Sequence, residues 1–291
     1  MKRIAIIGGG ISGLSAAFEL EQRRRAGQPL EYVVFESSAR FGGVIATERV
    51  DDCVVEAGPD SFLSEKPWAA ELCRQLGLDG QLIASNDSLR KTYMVSNHRL
   101  VPLPDGLMFM VPTEMMATLT SPLFSLGTKA RIAQEWLRPP RRAEADESVA
   151  SLVSRHYGSE MVERLADPLV AGVYGGEASQ LSARAVLPRL VEMESTQGSL
   201  GRAMMARRRA GRRDKSAAQP VFSSLKDGMQ QLVDALVEKL PASSLRANTA
   251  VRSVLPPGGQ KWRVCPESST EQFDAVIFAA SAPAVASLLK G

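Results

Sequence analysis

At 291 residues, 44% of them hydrophobic and 23% charged, the chain has room for about two domains around a substantial core, with the composition of an ordinary soluble protein. Three cysteines, Cys53, Cys73 and Cys265, and two histidines, His98 and His156, argue against a disulfide framework and a histidine-built metal centre and fit a reducing compartment; both histidines are expected as surface or capping groups. The net charge of +3 is unevenly placed, because Gly201 to Lys215 holds seven Lys or Arg against one Asp, a local +6 that leaves the remainder mildly acidic.

Lys2-Arg3 precedes the apolar run Ile4-Ala5-Ile6-Ile7, which stops at three glycines and is too short for a signal-peptide core. It reads as a buried strand. Gly8-Gly9-Gly10-Ile11-Ser12-Gly13 follows, a G-x-G-x-x-G where a strand hands over to a helix. In that pattern Gly8 allows the tight turn, Gly10 lets a pyrophosphate approach the backbone, and Gly13 lets helix and strand pack closely. Free N–H groups at the helix start then face the phosphates. The helix is expected from Ser12 to about Arg25, with Leu14, Ala17, Phe18 and Leu20 inward. A second strand, Tyr32 to Phe35, ends on Glu36, 23 residues after Gly13, where an acid accepts hydrogen bonds from the ribose of an adenine dinucleotide.

Arg40-Phe41-Gly42-Gly43-Val44 adds a second glycine pair, which an NAD site rarely needs and a longer cofactor would use. Arg40 could meet a phosphate or cover the surface. Short strands are expected at 44–49 and 53–57, leading to Gly58-Pro59-Asp60-Ser61, either a rigid loop against a flat ring or an ordinary turn. Pro67 to Leu76 reads as an amphipathic helix stopped by Gly77, and 92–95 with 99–103 as a hairpin around Ser96-Asn97-His98. Leu107 to Val111 is an apolar cluster, either core or the wall of a greasy site. From Thr113 to about Met205 the pattern becomes helical, with two helices over 121–137, one over 148–157 behind Asp146-Glu147, and one over 160–173 that Pro168 kinks or breaks.

The basic run from Arg207 to Lys215 lacks aromatic residues to stack on bases, so a solvated loop is expected rather than a nucleic-acid site, with an anionic membrane surface as the alternative. Strand 220–225, helix 229–240 and strands 248–255, 261–265 and 273–279 restore α/β character. The apolar stretch Val276 to Leu289 has 14 residues and contains Pro283, so it cannot span a bilayer. An intracellular, cytoplasmic protein is expected.

Together with the opening glycines, Arg40-Phe41-Gly42-Gly43, Gly58 to Leu63, Leu103-Pro104-Asp105-Gly106, Asp167 to Gly176 and Leu181-Ser182 make the chain resemble the oxygen-dependent protoporphyrinogen and coproporphyrinogen oxidases of haem biosynthesis. The Asp167 to Gly176 segment carries most of that specificity and speaks against the related amine oxidases and carotenoid desaturases. The resemblance implies an α/β fold: a Rossmann-like FAD-binding domain in two segments, 1–65 and 219–291, around an inserted, mainly helical substrate domain, 66–218. Such relatives continue beyond Gly291, which leaves a truncated, non-catalytic chain as an alternative.

By the same resemblance Gly8, Gly9, Gly10, Ile11, Ser12 and Gly13 hold the pyrophosphate of FAD, and Glu36, with Ser37 beside it, the adenosine ribose. Arg40 and Gly43 would lie along the cofactor, Val44, Gly58, Pro59, Asp60 and Ser61 near the flavin ring, and Val251 at the adenine. Gly172 belongs to the substrate site, and Lys66 either attracts a substrate propionate or is a solvated lysine at the Pro67 helix. The implied partners are a porphyrinogen and molecular oxygen. Peripheral membrane contact is permitted, and no metal is implied. No protein catalytic base is named, which fits chemistry carried by a cofactor.

Overall fold

A computed structural model describes residues 1–291 apart from 88–90, 97, 109, 143–144, 214–219, 258, 260, 268 and 291. The chain divides into two compact units, Met1–Asp87 with Ala218–Gly291, and Ser88–Ala217.

In the first unit, β1 (Lys2–Ile7) has its last three residues buried and lies at the centre of a parallel sheet. On one side it pairs with β2 (Leu30–Phe35), Ile4 opposite Tyr32 and Ile6 opposite Val34. On the other it pairs with Ala275–Phe278, Ile4 opposite Ala275 and Ile7 opposite Phe278. Leu245–Arg246 joins the outer edge of β2. Strands apolar on both faces suit this parallel arrangement. Arg3 and Arg246 both pair with Glu271, at 2.9 and 2.5 Å, an ionic tie between the two segments of the unit.

α1 (Ile11–Arg25) crosses between β1 and β2, burying Leu14, Ala17 and Phe18 against the sheet core and against helix Gln230–Lys239. Three arginines in its last turn, Arg23 to Arg25, complement the helix dipole. Glu21 is buried although it lies beyond the predicted inner face. Its carboxylate accepts from Arg24, Arg25 and the Tyr32 hydroxyl. The hydrogen bond from Arg24, aided by those from Arg25 and Tyr32, outweighs burial and holds the Glu21 pKa at about 2.

The expected boundary at residue 65 differs from the division seen, which falls after Asp87. The reason is pairing. Leu82–Ala84 joins Phe222–Leu225 in an antiparallel sheet, and helix Pro67–Gln75 inserts Cys73 into the same core as α1.

The second unit is mainly helical, around a core that includes Ile132, Leu152, Tyr157, Leu165, Leu190 and Leu200. Serine hydroxyls start four of its helices: Ser125, Ser148, Ser182 and Ser199 accept from the N–H groups of Thr128, Ser151, Ala185 and Arg202. Asp146 serves the Ala183–Val186 helix rather than the one it precedes in sequence, accepting from the Ser182 hydroxyl at 2.5 Å. One helix, Leu126–Glu135, replaces the two expected over 121–137.

Pro168 does not break its helix. It lacks an N–H, and the preceding residues Val162–Ala166 widen into a π-helical turn before the helix runs on through Asp167–Tyr174. The hairpin forms as expected, Tyr93–Ser96 with Arg99–Pro102, although Asn97 at its tip lies outside the described residues.

The basic run is a correction. Arg207 to Arg213 is helical, the end of Leu200–Arg213, because Leu200, Ala203 and Met204 anchor that helix in the core; Lys215 lies outside the described residues. His156 is a second correction. It is buried rather than superficial, while His98 is exposed. Among the described residues no helix is long and apolar enough to cross a membrane.

Candidate functional site

β1 ends at Ile7, and the chain turns through Gly8 at φ +113°, a conformation that L side chains rarely adopt. A Cβ at Gly8 would lie 2.7 Å from the Ala279 carbonyl oxygen, and one at Gly13 only 1.9 Å from the Gly8 carbonyl oxygen. These two contacts explain why the helix can start so close to the sheet. Gly10 caps α1 without a side chain, and the first turn contains no acid. Among the described residues the N–H groups of Ser12 and Gly13 donate to no main-chain acceptor. They are the free donors that a phosphate needs.

A cleft of about 640 Å³ opens over this turn. Gly8, Gly10, Ile11, Ser12, Glu36, Ser37, Gly43, Val44 and Val251 all line it, so nine of the residues expected at the cofactor come together. Gly9 and Gly13 lie beneath it as packing positions: a Cβ at Gly9 would meet Phe41 and the Glu36 side chain within 2.9 Å. A Cβ at Gly10 would meet only the Gly43 Cα, 3.8 Å away, and would otherwise fill cleft space. The cradle therefore fits a pyrophosphate closely approached by backbone.

Glu36 is buried at the end of β2, its carboxylate held from two sides. Oε2 accepts from the Gly9 N–H at 2.7 Å; Oε1 accepts from the Ser38 N–H and hydroxyl, both at 2.8 Å, and from the Ser37 hydroxyl at 3.2 Å. Burial pushes the Glu36 pKa up, but the hydrogen bonds from Ser38, Gly9 and Ser37 together win, and the group stays below the usual carboxylate range. An ionised carboxylate has about four acceptor directions; a ribose would take those that the rotatable Ser37 and Ser38 hydroxyls fill here.

Arg40 does not line the cleft. Its guanidinium donates to the carbonyls of Gly43 at 2.7 Å, Ile45 at 2.8 Å and Phe41 at 3.3 Å, buckling the loop that presents Gly42 and Gly43. Gly58 packs against that loop, since a Cβ there would sit 1.9 Å from the Val44 carbonyl oxygen. Pro59, Asp60 and Ser61 do not line the cleft; Asp60 is tied by its carbonyl to the Ser224 hydroxyl at 2.6 Å. The Lys66 ammonium lies 5.6 Å from the ring centre of exposed Trp68. Gly172 belongs to the second unit, where open space surrounds it beside exposed Val173 and Tyr174.

The sequence reading missed the other end of the chain. Ala279, Ala280 and Ser281, after the Ala275–Phe278 strand, line the cleft, as do Ala284, Ser287 and Leu288 of helix Ala282–Leu289. The available signal was the run of small residues between a buried strand and Pro283. The second unit has its own cleft of about 650 Å³, with Lys91, Tyr93, Leu103, Asp105 and Thr120 among its lining.

The profile of the flavin containing amine oxidoreductases matches residues 11–290. The chain belongs to that family. It is similar to the coproporphyrinogen III oxidase of Bacillus subtilis (strain 168), 34% identical over 291 residues, 99% of this chain and 62% of the relative. Protoporphyrinogen oxidase 2, chloroplastic/mitochondrial, of Arabidopsis thaliana is 29% identical, over 96% of this chain and 57% of its own. A crystal structure from Exiguobacterium sp. 255-15, provisionally named a protoporphyrinogen oxidase, superposes with a TM-score of 0.83 at 30% identity, covering 99% of this chain and 61% of that one.

A putrescine oxidase structure, at TM-score 0.61 and 20% identity, shares the fold alone. The chain thus spans less than two thirds of the length of each of these relatives. The family is flavin-containing, in agreement with FAD as the cofactor expected from the sequence.

Proposed function

We propose that the chain is the cofactor-binding portion of an FAD-dependent porphyrinogen oxidase that uses oxygen as acceptor, with coproporphyrinogen III as the favoured substrate. The observation that carries the cofactor reading is the cleft that joins the glycine turn, Glu36, Gly43 and Val251. In it the first-turn N–H groups of α1 hold the pyrophosphate, Glu36 the ribose hydroxyls, and the Val251 backbone the adenine. Arg40 shapes the loop that passes along the cofactor. FAD, when bound, supplies the acceptor for hydride equivalents removed from the macrocycle.

The substrate reading draws on the relatives named coproporphyrinogen III oxidase, which are 34% and 33% identical. A porphyrinogen is a broad apolar ring with carboxylate arms, and it needs an apolar wall and cations. Lys91 in the second unit's cleft offers such a cation, and the helical unit is the proposed substrate domain, with Gly172 in its site.

Two measurements test the reading: the visible spectrum of the purified chain with FAD, and aerobic oxidation of coproporphyrinogen III against protoporphyrinogen IX. A bound-flavin spectrum with faster turnover of coproporphyrinogen III supports it. A chain that binds no FAD, alone or extended to the length of its relatives, overturns the cofactor assignment. Faster turnover of protoporphyrinogen overturns the substrate assignment alone.

A further inference from the structure

Helix Val149–Tyr157 carries His156 into the interior of the second unit, where the residue is 2% exposed. Both ring nitrogens meet carboxylates there. Nδ1 lies 3.1 Å from Glu135 Oε1, and Nε2 lies 3.1 Å from Glu194 Oε1.

These carboxylates are ionised acceptors, because every oxygen of the pair already receives a donor. Glu135 accepts from the Leu200 N–H at 2.6 Å on one oxygen and from the Ser199 hydroxyl at 2.9 Å on the other. Glu194 accepts from the Arg155 guanidinium on both. A neutral imidazole has one N–H and one lone pair, so either tautomer would turn a lone pair onto a buried anion. Only the imidazolium can donate to both.

We propose that His156 is a latch, protonated at neutral pH, joining helices Leu126–Glu135, Val149–Tyr157 and Pro188–Gln197, and that its deprotonation as pH rises unlocks the corner where Leu200–Arg213 begins. The surrounding charges make Glu135 the weak point. On the helix of His156, Arg155 pairs with Glu194 and, at 2.5 Å, with Glu147; the Tyr157 phenol beside it is buried and has no partner among the described residues. Arg138, after the Glu135 helix, gives its guanidinium to the Arg155 carbonyl, and Arg202 gives its own to the carbonyls of Arg138 and Gln197. Loss of the His156 proton therefore leaves Glu194 with Arg155, and leaves Glu135 without a cation in contact among the described residues.

Burial pulls the imidazole pKa down, and the hydrogen bonds and charges of Glu135 and Glu194 more than reverse it, so the group stays protonated above the usual histidine range. A raised pKa gives stability that is complete below the ordinary histidine value and lost as pH rises through the folded value.

The chain has two histidines, so a ring-nitrogen NMR titration with a His98→Gln variant for assignment reads His156 directly. The expected result is an imidazolium pattern for His156 at pH 7. A single-proton tautomer for His156 at pH 7 overturns the proposal. Hydrogen exchange, corrected for its intrinsic pH dependence, then tests the latch. Protection of residues 149–157 and 199–201 should fall by about tenfold per pH unit between the ordinary histidine value and the raised value of folded His156, and level off above it. His156→Arg keeps the cation without the titration and should abolish that fall. Equal falls in wild type and variant overturn the latch; if the variant does not fold, pH-independent protection of the wild type does the same.

Discussion

Replacement of Glu36 separates the proposed ribose contact of its carboxylate from its hold on the glycine turn. In Glu36→Ala the ribose loses a charge-assisted acceptor, roughly 1.5 to 3 kcal/mol, which corresponds to about a tenfold to hundredfold loss of FAD affinity. The same change also strands the buried Gly9 N–H, bonded to the carboxylate at 2.7 Å, and a buried donor left unpaired costs about 1 to 3 kcal/mol. The apoprotein should therefore melt lower before any cofactor is added. Glu36→Gln keeps an acceptor oxygen and most of the shape, so it should lose less of both.

FAD titration by flavin fluorescence and apoprotein melting curves read the two effects separately. The pKa of Glu36 is depressed, so its contribution to stability is present above the ordinary carboxylate value and disappears as pH falls through the folded value. FAD affinity should accordingly be flat near neutrality and fall only in acid. Wild-type FAD affinity in both variants would refute the ribose assignment; wild-type melting in Glu36→Ala would refute the role of the carboxylate in holding the glycine turn.

Gly13→Ala places a Cβ 1.9 Å from the Gly8 carbonyl oxygen, a backbone atom that cannot swing aside, so the protein should lose FAD binding and melt lower; circular dichroism with a flavin titration checks both. Arg40→Gln removes the guanidinium bonds to Gly43 and Ile45, and amides 41–45 should exchange faster in the FAD-free protein, a result that a phosphate-contact role alone would not produce. Glu21→Gln unpairs Arg24 and Arg25. With the Glu21 pKa at about 2, the difference in melting temperature between wild type and variant should be full at pH 6 and shrink as pH falls toward 2.

The opening unit was legible because each of its signals is local. Four apolar residues, glycines at fixed offsets, a helix of 15 residues and a second apolar run specify strand, turn, helix and strand without any distant partner. Glu36 was legible by position, but not the donors that hold it, since the Gly9 N–H reaches it only once β1 and β2 pair. His156 was misread for a similar reason. Its partners Glu135 and Glu194 stand 21 and 38 residues away on other helices, and no periodicity announces them. The basic run was misread because charge was weighed without the apolar anchors Leu200, Ala203 and Met204 that precede it. The Leu82–Ala84 strand was assigned to the wrong side of the boundary because its partner, Phe222–Leu225, lies some 140 residues on.

The cleft itself follows from that non-local pairing. Ile4 stands opposite Ala275, and this one register brings Ala279 to Leu288 beside a glycine turn some 270 residues earlier in the chain. Gly8 and Ala279 then determine each other: the Ala279 N–H donates to the Ile7 carbonyl at 2.8 Å, and a Cβ at Gly8 would strike the Ala279 carbonyl. Closing so long a loop adds little entropy beyond that of a much shorter one, because the cost grows only with the logarithm of length. The glycine motif is thus a necessary half of the site. Its geometry becomes a cleft only when the Ala275–Phe278 strand docks on β1, and a fragment ending before that strand would keep the motif and lose one wall.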